Sequence, residues 1–311
     1  MKVNGATSNM ESRSYRPGLV SIIIPTLNSE RTLERCLRSI QNQSYDLIET
    51  IVVDGFSRDG TLDVARKCAS KVFLFGPDQT HEFVFGAPYQ RNFGASVSTG
   101  EFVYYVDADM ELTPDVIKAC VSGLVRLSAD AVIVPEMSRG DGFWGLCKAL
   151  ERRCYMGNDL AEAPRFFRSK TWNDLEGLDP KIGGDDWDIY HRLRGRGLRA
   201  IRVQDYVVHH EGRITLRRLA LKRYVYGKNL WRFFGRHKSM AQRQLFPIRS
   251  GYLHNRNLLA HFPIQLAGIG TMRGVEYLAC AAGMLIGRVA PPRPRLVQGK
   301  EFAGQVRPTN S

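Results

Sequence analysis

Short apolar runs rich in β-branched and aromatic residues recur through the first half of the chain, and segments with helical spacing separate them. Residues 19–24 form such a run, which is typical of a strand buried on both faces of a parallel sheet. Leu33, Cys36, Leu37 and Ile40 then recur at i, i+3, i+4 and i+7, which predicts an amphipathic helix. The predicted strands are 19–24, 50–55, 72–75, 102–106 and 131–135, and the predicted helices between them are 33–40, 61–69, 90–98 and 113–127.

Strands that alternate with helices predict an α/β fold, with a mostly parallel twisted sheet covered by helices on both faces. After Pro135 the periodicity weakens, although helices at 144–155, 185–195 and 216–234 and a strand at 201–208 are still indicated. Ligands of such sheets bind beyond the carboxyl ends of the strands. We therefore expect the functional residues at those ends.

The segment 262–290 is apolar and is interrupted only by Arg273, Glu276 and Arg288. Its charge-free part, 277–287, is 11 residues long, whereas a membrane-spanning helix needs about 20. We expect helices that lie in a membrane interface or pack on the core.

Charge is distributed unevenly. The net charge is +13, and residues 191–250 hold 16 Lys and Arg against two acids, Asp205 and Glu211. Such a segment suits nucleic acid, a phosphate-bearing substrate or an anionic membrane, and solvated helix faces are the plain alternative. The six cysteines form no CxxC pair, and the first 17 residues lack an apolar signal segment, so we expect a cytosolic protein with reduced thiols.

Asp107 and Asp109 follow the predicted strand 102–106 directly. Carboxylates at the end of a buried strand need a positive partner, because desolvating an unpaired charge is costly. A Mn²⁺ or Mg²⁺ ion with oxygen ligands, whose remaining positions are filled by substrate phosphates, would supply it. An acidic turn that caps a helix starting at Thr113 is the alternative. The pattern favours an enzyme that handles a nucleoside diphosphate.

Five segments occur in the order found in family-2 glycosyltransferases, which have the GT-A fold, and the chain resembles that family over residues 19–215. These segments are 20–28 (VSIIIPTLN), 51–55 (IVVDG), 91–94 (RNFG), 106–109 (VDAD) and 184–188 (GDDWD). Two departures are the single acid Asp54 where the family has two, and Asp185-Asp186 in place of Glu-Asp. Both carboxylates of the latter pair are kept.

The resemblance implies a role for each motif. It places a general base at Asp186, beside Asp185, and a divalent metal at Asp109 and Asp107. His209 could complete the metal shell, and His210 should then face away, since neighbours on a strand point to opposite faces. The implied nucleotide-sugar-binding residues are Pro25, Thr26, Asn28, Asp54, Arg91, Asn92, Asp107 and Ala108. Arg165 and Arg168 are candidates for an acceptor phosphate.

The resemblance also implies a division of the chain. Residues 1–18 are expected to be a flexible N-terminus, and 19–215 a GT-A domain with a nucleotide-binding half (19–110) and an acceptor half (111–215). A basic, amphipathic helical extension (216–290) and a flexible tail (291–311) follow.

The implied activity is inverting transfer of a sugar from a UDP- or GDP-sugar to an acceptor hydroxyl. The basic and apolar C-terminal segments favour a polyprenyl-phosphate-linked acceptor and a peripheral position at the cytoplasmic face of the cell membrane. A soluble transferase with a small acceptor and an inactive sugar-nucleotide sensor are alternatives. A nucleic-acid-binding protein would leave Asp54, Asp107 and Asp186 unexplained.

Overall fold

The computed structural model describes residues 14–77, 86–158, 161–237, 250–289 and 296–303. Four parallel strands form the centre of the main sheet in the order β3-β2-β1-β4. They are β1 (Arg16–Thr26), β2 (Ile48–Asp54), β3 (Lys71–Pro77) and β4 (Gly100–Tyr105). The predicted strands are confirmed, although β1 begins at Arg16 inside the segment expected to be flexible.

The sheet separates two hydrophobic layers. Ile22 and Ile24 of β1 face one layer, and Ile23 between them faces the other, as the two-residue period of a strand requires. Helices cover both faces, as predicted. Helices α1 and α4 contribute to the first layer, and α3 and α7 (Asp185–Gly195) contribute to the second. The helices of the first half are α1 (Glu30–Gln41), α2 (Thr61–Cys68), α3 (Gly86–Val97) and α4 (Val116–Arg126).

The second half adds antiparallel strands and a smaller sheet. The eight-stranded sheet has the order β11-β3-β2-β1-β4-β8-β6-β9, and β5-β10-β7 form a three-stranded sheet. The remaining elements are β5 (Met110–Leu112), β6 (Ala131–Ile133), β7 (Glu136–Asp141), α5 (Gly142–Arg153), β8 (Phe166–Arg168), α6 (Ser169–Asp174), α7 (Asp185–Gly195), β9 (Ala200–Arg202), β10 (Val207–Arg213), α8 (Leu216–Arg236), α9 (Ser250–His254), α10 (Arg256–Ala260), α11 (Pro263–Val289) and β11 (Leu296–Ala303).

Two predicted elements differ near the site. The strand expected at 201–208 is two strands in different sheets, so His209 lies inside β10 rather than after a strand. The helix expected from Thr113 begins at Val116, because Met110–Leu112 pairs with β10. The Thr113 hydroxyl donates to the carbonyl of Tyr206 and does not cap the helix.

Residues 296–303, expected within a flexible tail, form strand β11, which pairs antiparallel with β3. An edge strand offers unpaired backbone donors and acceptors, and a returning segment of chain can satisfy them. The other residues of the predicted tail, and residues 1–13, lie outside the described part of the chain.

The basic stretch 191–250 is not one continuous cationic surface. Four of its arginines form ion pairs with acids: Arg192 with Asp188, Arg202 with Glu162, Arg223 with Glu276, and Arg236 with Asp188 and Asp179. Part of the positive charge seen in the sequence is therefore compensated locally.

Helices α8 and α11 pack with their backbones in close contact. A methyl group at Gly283 of α11 would overlap the carbonyl oxygen of Tyr224 on α8, and one at Gly227 of α8 would overlap the carbonyl of Cys280. The buried face of α11 packs on α8 and α5, while Leu278, Leu285 and Val289 are exposed. Within the described residues, no helix combines the length and apolarity needed to cross a bilayer.

We predict that Gly283→Ala lowers the free energy of unfolding by about 1–3 kcal/mol, because the added methyl group forces the two backbones apart. Gly270→Ala is the matched control on the same helix, since nothing lies within 4 Å of the position its methyl group would take. It should raise stability by about 0.5–1 kcal/mol. Urea denaturation of both variants measures this, and an equal effect of the two substitutions would contradict the close packing.

Candidate functional site

The tips of β1 and β2 are tied together by Asp54, whose side chain is fully buried. The Thr26 hydroxyl donates to Asp54 Oδ2 at 2.8 Å, and Ser57 donates to the same carboxylate through its backbone N–H and its hydroxyl. Asn28 Oδ1 accepts from the backbone N–H of Arg58 at 2.9 Å. These predicted nucleotide-binding residues form a compact turn, and a nucleotide would contact Asp54 only after this turn had moved.

The side-chain amide of Asn92 is also hydrogen-bonded within the protein. Its amide nitrogen donates to the carbonyl of Leu178 at 2.8 Å, and its oxygen accepts from the N–H of Leu178 at 2.9 Å. In this structure Asn92 fixes the loop that leads to α7, rather than presenting its amide to a nucleotide.

Asp107, directly after β4, lies between two arginines. Arg91 Nη2 is 2.6 Å from Asp107 Oδ1, and Arg165 Nη1 is 2.9 Å from Asp107 Oδ2. Burial opposes its ionisation, but the two guanidinium groups hold the pKa of Asp107 well below its usual range. Both oxygens are occupied, so the expectation that Asp107 binds a metal directly is not supported by this geometry.

Asp109 is the accessible carboxylate of the motif. Its side chain is 40% exposed, and its Oδ2 lies 3.2 Å from Nε2 of His209. The backbone N–H of His210 donates to the carbonyl of Asp109, which fixes β10 beside the motif. The His210 ring contacts Glu111 instead, so the two histidines point to opposite sides, as predicted.

His209 lies between two acids, since its Nδ1 is 3.7 Å from Glu136 Oε2. Burial alone would lower the pKa of His209, but Asp109 and Glu136 raise it to about 10. The imidazole is therefore cationic in the metal-free arrangement, and it would lose a proton on binding a metal ion.

The two acids at the start of α7 occupy different environments. Asp186 is 30% exposed, and its Oδ1 accepts a hydrogen bond from the Tyr105 hydroxyl at 2.9 Å. Asp185 is buried and lies 3.3 Å from Nη1 of Arg91. Its burial and the neighbouring Asp186 carboxylate raise the pKa of Asp185 to about 7. Asp186 is thus the member of the pair that an acceptor can reach.

The contacts around Asp107 leave the site with excess negative charge once His209 is neutral, as a metal ligand must be. Five carboxyl groups then face three arginines; the acids are Asp107, Asp109, Glu136, Asp185 and Asp186, and the arginines are Arg91, Arg152 and Arg165. Because the pKa of Asp185 is about 7, that group is only partly ionised at neutral pH. A divalent cation would offset the remaining excess of negative charge. Asp109 and His209 fit as its protein ligands, although no three His, Cys, Asp or Glu side chains among the described residues form a complete metal site.

A cavity of about 410 Å³ adjoins this cluster. Helices α5, α8 and α11 form its far wall. Six predicted site residues line it: Arg91, Asp107, Asp109, Asp185, Asp186 and His209. The other six, which do not line it, are Pro25, Thr26, Asn28, Asp54, Asn92 and Ala108.

Glu136 and Tyr105 are functional candidates that the sequence reasoning missed. Glu136 bridges Arg165 Nη2 at 2.8 Å and Arg152 Nη2 at 2.5 Å, and it contacts His209. One signal was available for it, because Glu136 follows the predicted strand 131–135 just as Asp107 follows 102–106. Tyr105 gave no such signal, since it belongs to the apolar run itself.

The two arginines suggested for an acceptor phosphate have other partners. Arg165 is shared among Asp107, Glu136 and Asp186. Arg168 contacts Glu101 and the carbonyl oxygens of Ala129 and Leu124, away from the cavity. That assignment is wrong for Arg168 and unsupported for Arg165.

Comparison with known proteins gives a consistent family. The family model described as "Glycosyl transferase family 2" matches residues 21–176. The chain is 36% identical over 93 residues to a 4,4'-diaponeurosporenoate glycosyltransferase of Staphylococcus haemolyticus, covering 30% of this chain and 24% of that protein. It is 30% identical over 142 residues to a GalNAc(5)-diNAcBac-PP-undecaprenol beta-1,3-glucosyltransferase of Campylobacter jejuni, covering 43% and 44%. These alignments span less than half of either relative.

The comparison with solved structures concerns most of the chain. The mannosyltransferase PcManGT from Pyrobaculum calidifontis, in complex with GDP-Man and Mn²⁺, has a TM-score of 0.57 and 20% sequence identity, and the match covers 86% of each chain. This likeness concerns the fold. With the family match over half of its length, the chain belongs to glycosyl transferase family 2 and has a GT-A-type α/β fold with additional C-terminal helices.

Proposed function

We propose that this glycosyltransferase moves a sugar from a UDP- or GDP-sugar to an acceptor hydroxyl, with inversion at the anomeric carbon and with the help of a divalent metal. The observation that carries the proposal is the excess of carboxylates beyond β4, beside a cavity that also reaches Asp186. Such an arrangement tolerates its own charge best when a cation and a diphosphate are bound.

Asp109 and His209 would hold Mn²⁺ or Mg²⁺, and diphosphate oxygens would complete the shell. When bound, the metal supplies Lewis-acid stabilisation of the departing diphosphate. That PcManGT was solved with GDP-Man and Mn²⁺ supports this part of the proposal. Asp107 acts indirectly, by holding Arg91 and Arg165 in place.

Asp186 would remove the proton from the acceptor hydroxyl. It lines the cavity, and the hydrogen bond from Tyr105 fixes the orientation of its carboxylate. An acceptor in the cavity would attack the anomeric carbon from the side opposite the diphosphate, in one displacement. Asp185, paired with Arg91, positions the start of α7. The turn around Asp54 and Asn28 would adjoin the nucleotide.

A lipid-linked acceptor and a peripheral position at the cytoplasmic membrane face complete the proposal. Among the described residues, the exposed large apolar side chains are concentrated outside the nucleotide half: 12 of the 15 lie in 143–156 or 221–289. Such a surface suits the boundary of a bilayer. The undecaprenol-linked substrate in the name of the Campylobacter relative agrees with this class of acceptor.

We predict that UDP or GDP raises the melting temperature more with Mn²⁺ than without it, because a ligand of the native state stabilises by about 2.7 kcal/mol at 100 times its dissociation constant. Asp109→Asn should abolish the metal-dependent part of the shift. Asp174→Asn, an exposed acid paired with Lys170, should leave it intact. A full metal-dependent shift in Asp109→Asn would show that the metal is held elsewhere.

We predict that Asp186→Asn lowers transfer by about 10²–10⁴-fold, because an amide cannot accept the proton of the acceptor. Radiolabelled UDP- and GDP-sugars with lipid extracts as acceptors provide the assay. The variant should still show the Mn²⁺-dependent thermal shift with the nucleotide, which separates lost chemistry from lost binding. Transfer at the wild-type rate would place the base on another residue.

We predict that Leu278→Ser combined with Leu285→Ser reduces flotation with vesicles of phosphatidylglycerol and phosphatidylcholine several-fold, since both side chains are exposed on α11. Val125→Ser on α4 is the control, because Val125 is also apolar and exposed but lies on another helix. Equal flotation of all three proteins would argue against a membrane-facing α11.

A further inference from the structure

Three cationic side chains that line the cavity form no ion pair with an acid among the described residues, although the charge of Lys222 helps to lower the pKa of Glu211. Arg213, Arg218 and Lys222 line the same cavity as Asp186, and all three are exposed. Among the residues the structure describes, no carboxylate lies within 4.0 Å of any of them. The other cations of the cavity are paired: Arg91, Lys148, Arg152, Arg165, Arg223 and Arg273 all contact carboxylates.

The placement of these cations is unfavourable without a ligand. Arg218 and Lys222 lie four residues apart on α8, so their charges face each other on one side of the helix. Like charges at this spacing destabilise a helix. An anion in the cavity would relieve that repulsion, and an arginine fork matches the oxygens of a phosphate.

The surroundings favour an amphiphilic anion. Leu221 of α8, Leu146 of α5 and Leu278 of α11 are exposed large apolar side chains that do not line the cavity but lie on the outer surface of the helices that wall it. A ligand with a phosphate group at the cations could extend an apolar chain over these helices into a bilayer. The donor diphosphate has its proposed place beside Asp109 and His209, whereas Arg218 and Lys222 lie on α8, and Arg213 lies four residues beyond His209 at the end of β10.

We propose that Arg213, Arg218 and Lys222 form a binding site for the phosphate groups of an isoprenyl-phosphate-linked acceptor and so direct its sugar hydroxyl toward Asp186. This inference rests on the proposed function and adds to it the residues that recognise the acceptor. These residues replace Arg165 and Arg168, whose charges are used within the protein.

Farnesyl diphosphate, titrated into the full chain below its micelle concentration, is the probe. Arg218→Gln should weaken its binding about tenfold or more, because hydrogen bonds to charged groups contribute more than neutral ones. Arg217→Gln is the matched control: Arg217 is the adjacent, equally exposed arginine of α8, but it does not line the cavity. It should change binding by less than about twofold, since an exposed charge outside the site contributes little.

Calorimetric titration of UDP and GDP with Mn²⁺ into the same variants distinguishes the source of the phosphate. Unchanged nucleotide binding in Arg218→Gln, together with weakened farnesyl diphosphate binding, supports the proposal. Weakened nucleotide binding would show that these cations hold the donor diphosphate, and equal losses in Arg217→Gln and Arg218→Gln would show general attraction by a basic surface. Either result overturns the proposal, as does a wild-type protein that does not bind farnesyl diphosphate.

The two proposals can fail separately. Absence of nucleotide binding in the wild type would contradict the proposed glycosyl transfer, whatever the result with farnesyl diphosphate. Specific loss of farnesyl diphosphate binding in Arg218→Gln would, in that case, still establish the phosphate site.

Discussion

The ion pairs that Asp107 forms with Arg91 and Arg165 organise the whole site. Asp107 follows β4, one of the central strands of the main sheet. Arg91 comes from α3, and Arg165 directly precedes β8. Through Arg91 the cluster reaches Asp185 at the start of α7, and through Arg165 it reaches Glu136 at the start of β7. Removing one partner of a buried ion pair leaves an uncompensated charge, so each of these elements depends on the others for its position.

The three-stranded sheet and the C-terminal helices then convert this cluster into a cavity with two chemically different walls. The β5-β10-β7 sheet brings His209 against Asp109, on the wall with excess negative charge. Helices α8 and α11 form the opposite wall, and their glycine contacts allow them to lie close together. A divalent cation with a diphosphate suits the first wall, and a phosphate group suits Arg218 and Lys222 of α8 together with Arg213 at the end of β10.

Pairing also decides which cations are available to a ligand. Glu151 is fully buried and contacts Lys148, Arg273, Tyr155 and Tyr252, so it joins α5 to α9 and α11. Burial opposes its ionisation, but Lys148 and Arg273 hold the pKa of Glu151 below its usual range. Arg213, Arg218 and Lys222 form no ion pair with an acid among the described residues, so they can bind an anion.

The sequence by itself determined the parallel centre of the sheet, its two covering layers and the position of acids at strand ends, because these follow from local periodicity and from the rule that parallel strands end at one edge. It indicated Asp107, Asp109, Asp185, Asp186, Arg91 and His209 by their motifs, and these six line one cavity. Only the tertiary structure decided which charges compensate one another. The partners of Arg165 and His209 come from segments far apart in the chain. The pairing of β8 with β4 and β6 places Arg165 beside its acids, and the pairing of β10 with β5 and β7 places His209 beside Asp109 and Glu136. A charged side chain is therefore available to bind a ligand only where the fold places no side chain of opposite charge beside it.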